Sequence, residues 1–130
     1  MNRFSPFPAY MVGFPLIFTG LFALRNPLAA HSLFGVPSPA LLTTTTNISP
    51  FVYAKAVRDV ALGLTCLGLQ SQGNENGVTA ILAGAVFTGL GDGWIVWCFG
   101  GEKLRRKAWG HWVPTVVVLA PLVVVRMLAD

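Results

Sequence analysis

The sequence predicts an all-α membrane bundle of four transmembrane helices with a long first connection, forming a single domain over residues 1–130. Three observations predict it. Hydrophobic residues make up 54% of the 130 residues and charged residues only 11%, against about 25% charged in an ordinary soluble domain. A short soluble chain leaves much of its area exposed and needs charge to cover it; lipid removes that need. The apolar residues also fall into four runs, each near the roughly 20 residues that cross a bilayer core as helix. Finally, positive charge is unevenly distributed among the connections.

The first run spans 7–24 and is closed by Arg25-Asn26-Pro27. Arg3 ahead of it resembles the start of a signal peptide. Pro6, Pro8 and Pro15 break the run, however, and no small-residue cleavage site follows, so it is read as a span. The second, 51–69, ends in the polar turn 70–77. The third, 78–99, is closed by Gly100-Gly101, and the fourth covers 112–128. Pro114 falls in the first turn of the last helix, where proline is tolerated, whereas Pro121 inside it predicts a kink. Residues 26–49 form the long connection. It mixes Leu33, Phe34, Val36, Leu41 and Leu42 with prolines and Thr43-Thr44-Thr45-Thr46, too apolar for plain disorder. It is expected to lie in the interface or fold over the bundle end. Cys66, deep in the second span, and Cys98, at the end of the third, are not expected to pair.

Nine Lys and Arg stand against five acids, and four of the nine are Lys103, Arg105, Arg106 and Lys107. Flanked by apolar runs and without an RNA-binding signature, this cluster excludes nucleic acid as the expected partner and predicts contact with anionic lipid headgroups. Arg25 lies in the first connection and no Lys or Arg in the second, so the first and third connections are expected on the cytoplasmic side. The chain is then a multi-pass integral membrane protein, placed in the endoplasmic reticulum if the cell is eukaryotic. Trp94, Trp97, Trp109 and Trp112 gather at the same end, as an interfacial belt does.

That orientation brings polar residues to one depth. Lys55, Arg58 and Asp59 stand at i, i+3 and i+4, on one face of the second helix. Asp92 lies at a similar depth in the third, continuing a small-residue stripe of Ala80, Gly84 and Thr88 that is expected to pack on a neighbouring helix. His111 opens the fourth span there and Asn26 closes the first. An ionisable group inside a membrane is by default a functional candidate, since each charge costs at least about 2.5–3.5 kcal/mol to insert. The alternative is a structural ion-pair network. Asp59, Asp92 and Arg58 are the candidate catalytic residues; Lys55, His111, Trp94, Thr88 and Asn26 are candidate supporting or substrate-binding residues. For Thr88 a hydroxyl bonded back to its own helix is the plainer expectation, and for Trp94 an interfacial anchor.

Two carboxyls with an arginine between them can divide acid and base work, one taking a proton from water or a substrate hydroxyl and the other giving one to a leaving oxygen. The division suits epoxide opening, by water or by an internal hydroxyl, and proton-shuttling isomerisation. Soluble epoxide hydrolases of the limonene-oxide type use such a set, a likeness of chemistry only. With His31 and His111 the only histidines, no metal cluster is expected, and no glycine-rich phosphate loop or nucleophile motif points to a cofactor.

From Phe51 to Gly63, with Arg58-Asp59 at its centre, and at Asp92, His111, Asn26-Pro27 and Leu33-Phe34-Gly35-Val36-Pro37, the sequence resembles a family of small four-helix membrane proteins of unknown function, frequent in fungi and in some cases near secondary-metabolite genes. The resemblance implies a membrane protein acting on a lipophilic natural product, as an epoxide hydrolase, cyclase or isomerase. A lipophilic small molecule and the bilayer are thus the expected partners, and association into a homo-oligomer stays open. The other readings are a non-catalytic membrane assembly partner and a small proton-coupled transporter.

Overall fold

A computed structural model describes residues 4–37 and 48–129, and among them it contains helices and turns but no strand. Helix α1 covers Phe7–Arg25 and α2 covers Pro27–Phe34. Helix α3 covers Pro50–Ser71, α4 Glu75–Phe99 and α5 Gly101–Leu128. The first connection thus holds a short helix of its own, while Leu41, Leu42 and the Thr43–Thr46 run lie outside the described residues.

Local chemistry sets the helix ends. The Ser49 hydroxyl accepts from the Phe51 amide at 3.4 Å, with Pro50 in the first turn, where its missing N–H is no loss. Asn74 Oδ1 accepts from the Gly77 amide at 2.9 Å to start α4. Helix α2 ends at Gly35, whose φ of 104° is the left-handed conformation that glycine adopts without strain. A side chain there would also run into Val96.

Among the described residues three helices, α1, α4 and α5, are long and apolar enough to cross a membrane, which points to a membrane protein. The expectation of four such runs is met by three. Helix α3 has the length, 22 residues, but Lys55, Arg58 and Asp59 place three charges within two turns of it. The other difference lies at the last helix, which begins at Gly101 rather than at 112 and takes the basic 103–107 segment into its first turns. Within α5, a 3₁₀ turn covers Arg105–Lys107 and a π segment covers Pro114–Leu119. The π segment ends just before Pro121, which has no N–H for the ordinary register, so the widened turn falls where the expected kink is needed.

Helices α1 and α3 pack at backbone distance. A Cβ built on Gly63 would stand 2.6 Å from the Gly13 carbonyl oxygen, and one on Gly20 would stand 2.6 Å from that of Ala56; only glycine allows so close a crossing. Helices α4 and α5 meet instead through side chains set against glycine, with Gly89 against Thr115 and Gly93 against the Trp112 ring. The small-residue face that packs on α5 is therefore Gly89 and Gly93. Ala80 and Gly84 are exposed, and a Cβ on Gly84 meets no other atom, so the upper half of the expected stripe packs on nothing in the fold. Ala9, Cys66, Val78, Leu82 and Val123 make the core. Outside it, Phe51, Phe87 and Leu128 are each at least 81% exposed, a surface suited to lipid rather than water.

Candidate functional site

Spacing puts Lys55, Arg58 and Asp59 on one face of α3, and the fold turns that face toward Asp92 on α4. Asp59 is buried and holds both cations: Lys55 Nζ donates to Oδ2 at 2.5 Å and Arg58 Nη2 to Oδ1 at 3.0 Å. Asp92 Oδ2 lies 3.7 Å from Lys55 Nζ and 3.7 Å from Arg58 Nη2, within ion-pair reach but beyond a good hydrogen bond. The four residues balance in charge, two cations to two carboxylates. Asp59 is the tightly held member and Asp92 the loosely held one.

Helix α2 folds back over this end. Lys55 Nζ sits 4.8 Å from the centre of the Phe34 ring, a cation–π arrangement. His111 packs edge-on against the same ring at 5.2 Å, and its Nε2 lies 3.0 Å from the Phe34 carbonyl oxygen. Lys107 donates to the Ser32 carbonyl. These contacts fold the described part of the first connection over the bundle end.

Beneath α2 lies a cleft of about 1000 Å³ whose wall includes Lys55, Arg58, Asp59 and Asp92, with His31, Thr88 and His111 beside them. Farther in, the wall is apolar: Val12, Leu16, Leu62, Ile81 and Leu119. Ligand sites commonly combine such an apolar hollow with a few converging polar groups. Thr88 donates to the Gly84 carbonyl at 3.0 Å, the back-bonded state expected of it.

Two candidates stand apart. Trp94 is 64% exposed and is not part of the wall, whereas Trp97, Trp109 and Trp112 cluster ring to ring. Asn26 is exposed at the junction of α1 and α2, where its amide donates to the Phe22 carbonyl at 2.8 Å; it too lies away from the cleft. Both cysteines are free, Cys66 buried and Cys98 exposed.

Sequence reasoning passed over two residues. Arg126 is buried, donating from Nε to Thr79 Oγ1 at 2.9 Å and from Nη2 to the Glu75 carbonyl at 3.4 Å, with its guanidinium 4.3 Å from the Phe4 ring centre. It ties the end of α5 to the start of α4, and a lone charge within Val-Val-Val-Arg-Met-Leu was its signal. The other is His31. Its Nε2 is the one buried side-chain nitrogen or oxygen without a hydrogen-bond partner among the described residues, and burial lowers its pKa below the usual histidine value. Nothing in Pro-Leu-Ala-Ala-His marked it, because its setting is made by the cleft. Among the described residues, no group of three His, Cys, Asp or Glu side chains is placed to hold a metal.

An all-helical chain with membrane-length helices and a charge-balanced cluster on the wall of an apolar cleft defines the class. The chain belongs to the family described as "Domain of unknown function (DUF4267)", which it matches over residues 13–125. No curated protein and no solved structure matches it.

Proposed function

We propose that this protein is a four-span integral membrane enzyme that performs acid/base chemistry on a lipophilic small molecule, opening an epoxide or isomerising a natural-product precursor. The observation that carries the reading is the cleft of about 1000 Å³ that has both Asp59 and Asp92 in its wall. Helix α3 would be the fourth span, its charges shielded by α4 and α2, with the basic start of α5 on the cytoplasmic side of the endoplasmic reticulum or an equivalent membrane.

The unequal hold on the two carboxyls suggests their division of labour. Asp59, bound by both cations, fixes Lys55 and Arg58. Asp92, loosely held, exchanges the proton. In hydrolysis, water adds to an epoxide carbon as the carbon–oxygen bond breaks; the Asp92 carboxylate takes the water proton and returns it to the leaving oxygen. Atoms balance as epoxide plus water giving a diol, and with an internal hydroxyl in place of water a cyclic ether.

The closed pairing of two cations with two carboxylates favours a second reading, a structural network in a membrane assembly partner. Feeding a lipophilic epoxide to membranes carrying wild type or Asp92→Asn separates the two. Diol or cyclic ether from wild type and not from the variant supports the enzyme; no conversion by wild type, with partner enzymes still recruited by both proteins, supports the assembly role.

A further inference from the structure

The fold makes the four cations at the start of α5 unequal. Lys107 donates to the Ser32 carbonyl of α2. Arg105 sets its guanidinium 4.5 Å from the centre of the Trp97 ring and donates from Nε to the Trp97 carbonyl at 3.1 Å. Lys103 and Arg106 make no such contact among the described residues. The stack and the one bond fix the plane of the Arg105 guanidinium but use only one of its five donors. The donors on Nη1 and Nη2 have no acceptor among the described residues, and the side chain is exposed. Nor does any carboxylate among the described residues pair with these four cations, since the acceptors that Arg105 and Lys107 use are neutral carbonyls. Their positive charge is uncompensated.

The surroundings of Arg105 point to the source of the anion. Trp97 lies 5.7 Å from Trp112, ring centre to ring centre, and Trp112 lies 5.4 Å from Trp109. Phe99, two residues beyond Trp97, is 67% exposed. In a membrane protein such a cluster sits at headgroup level, which sets the open guanidinium fork at the depth of the phospholipid phosphates. The fork matches two phosphate oxygens. We propose that Arg105, stacked on Trp97, binds the headgroup phosphate of an anionic phospholipid, while Lys103, Arg106 and Lys107 only strengthen the local potential. A guanidinium already held in place loses less freedom on binding than a free side chain does, so Arg105 dominates. The inference requires the chain to lie in a membrane, but it requires no chemistry in the cleft.

The test reads tryptophan fluorescence of the full chain in phosphatidylcholine nanodiscs. Trp94→Phe and Trp109→Phe, at two exposed rings, leave Trp97 and its neighbour Trp112 as the reporters. Phosphatidic acid with brominated acyl chains, added as a minor component, should quench about tenfold more per molecule than equally brominated phosphatidylcholine. Arg105→Gln should cut that preference at least about fivefold, whereas Lys103→Gln and Arg106→Gln, which remove the same charge, should each cut it less than about twofold. Arg105→Lys keeps the charge without the stacked fork. It should resemble Arg105→Gln more than wild type, and it decides the matter if Arg105→Gln does not fold. Inorganic phosphate in the buffer should leave the preference intact. Equal losses in the Arg105 and Arg106 variants would mean a diffuse charge effect and overturn the inference. So would a preference that wild type lacks, or one that inorganic phosphate abolishes.

Discussion

Arg58 on α3 and Asp92 on α4 meet with Nη2 and Oδ2 3.7 Å apart, while the same guanidinium nitrogen holds Asp59 of its own helix at 3.0 Å. One side chain thus serves a fixed carboxylate and a movable one, and the two should respond differently to neutralisation. Asp92→Asn leaves Asp59 to satisfy both cations, so thermal stability should stay near wild type while turnover falls roughly 10²- to 10⁴-fold, the range for a positioned proton-transfer group. Asp59→Asn removes the closest partner of both cations and should lower the melting temperature as well as activity. Melting curves in detergent alongside product formation check this. Equal stability of the two variants would contradict the assigned roles.

Helix packing gives a sharper contrast. Gly63→Val places methyl groups where the Gly13 carbonyl oxygen already stands 2.6 Å from an added Cβ, whereas Gly84→Val points into open space. Gly63→Val should destabilise by about 1–3 kcal/mol or prevent folding, as overpacking does. Gly84→Val should fold normally. Yield of monodisperse protein by size-exclusion chromatography and the melting temperature distinguish them.

Much of this was legible in the sequence because it depends on short-range rules. The i, i+3, i+4 spacing of Lys55, Arg58 and Asp59 places them on one face whatever the tertiary fold, and their meeting with Asp92 followed from antiparallel helices of similar length. The packing face of α4 was not legible, since Ala80, Gly84 and Thr88 repeat as regularly as Gly89 and Gly93 are spaced. Only the position of Thr115 and Trp112 chooses between the two sets. Trp94 and Asn26 were grouped with the site by depth alone, and depth does not fix the direction of a side chain. His31 became notable only when α2 folded back over the cleft.

At the opposite end of the bundle, Arg126→Ala should lower the melting temperature. The change removes a buried guanidinium with its bonds to Thr79 Oγ1 and the Glu75 carbonyl and leaves a void among Phe4, α4 and α5. Arg126→Lys keeps the charge but not the fork of donors and should fall between the two. Thermal melts of the three proteins check the order wild type, Arg126→Lys, Arg126→Ala.

The topology is open to direct labelling. Ser71→Cys at the end of α3 and Lys103→Cys at the start of α5, each in a background with Cys66 and Cys98 replaced by serine or alanine, should react with a membrane-impermeant maleimide from opposite sides of sealed vesicles. Labelling of both from one side would rule out α4 as a crossing.

The last prediction concerns pH. His31 is held by burial below its ordinary value of 6.5, so protonation favours the unfolded chain, in which the imidazole is solvated. The sign follows from linkage: the contribution to stability is complete above the unfolded value and is lost as pH falls through the lower, folded value. Melting temperature in detergent should therefore decline on acidification below about pH 6.5, the unperturbed histidine value. His111, the other histidine of the sequence, lies on the Phe34 carbonyl, so the wild-type curve alone does not assign the effect. His31→Phe, which cannot titrate, should flatten the decline, and His111→Gln should leave the His31 component in place. A wild-type curve matched by His31→Phe throughout pH 5–8 would remove His31 from any role in the response.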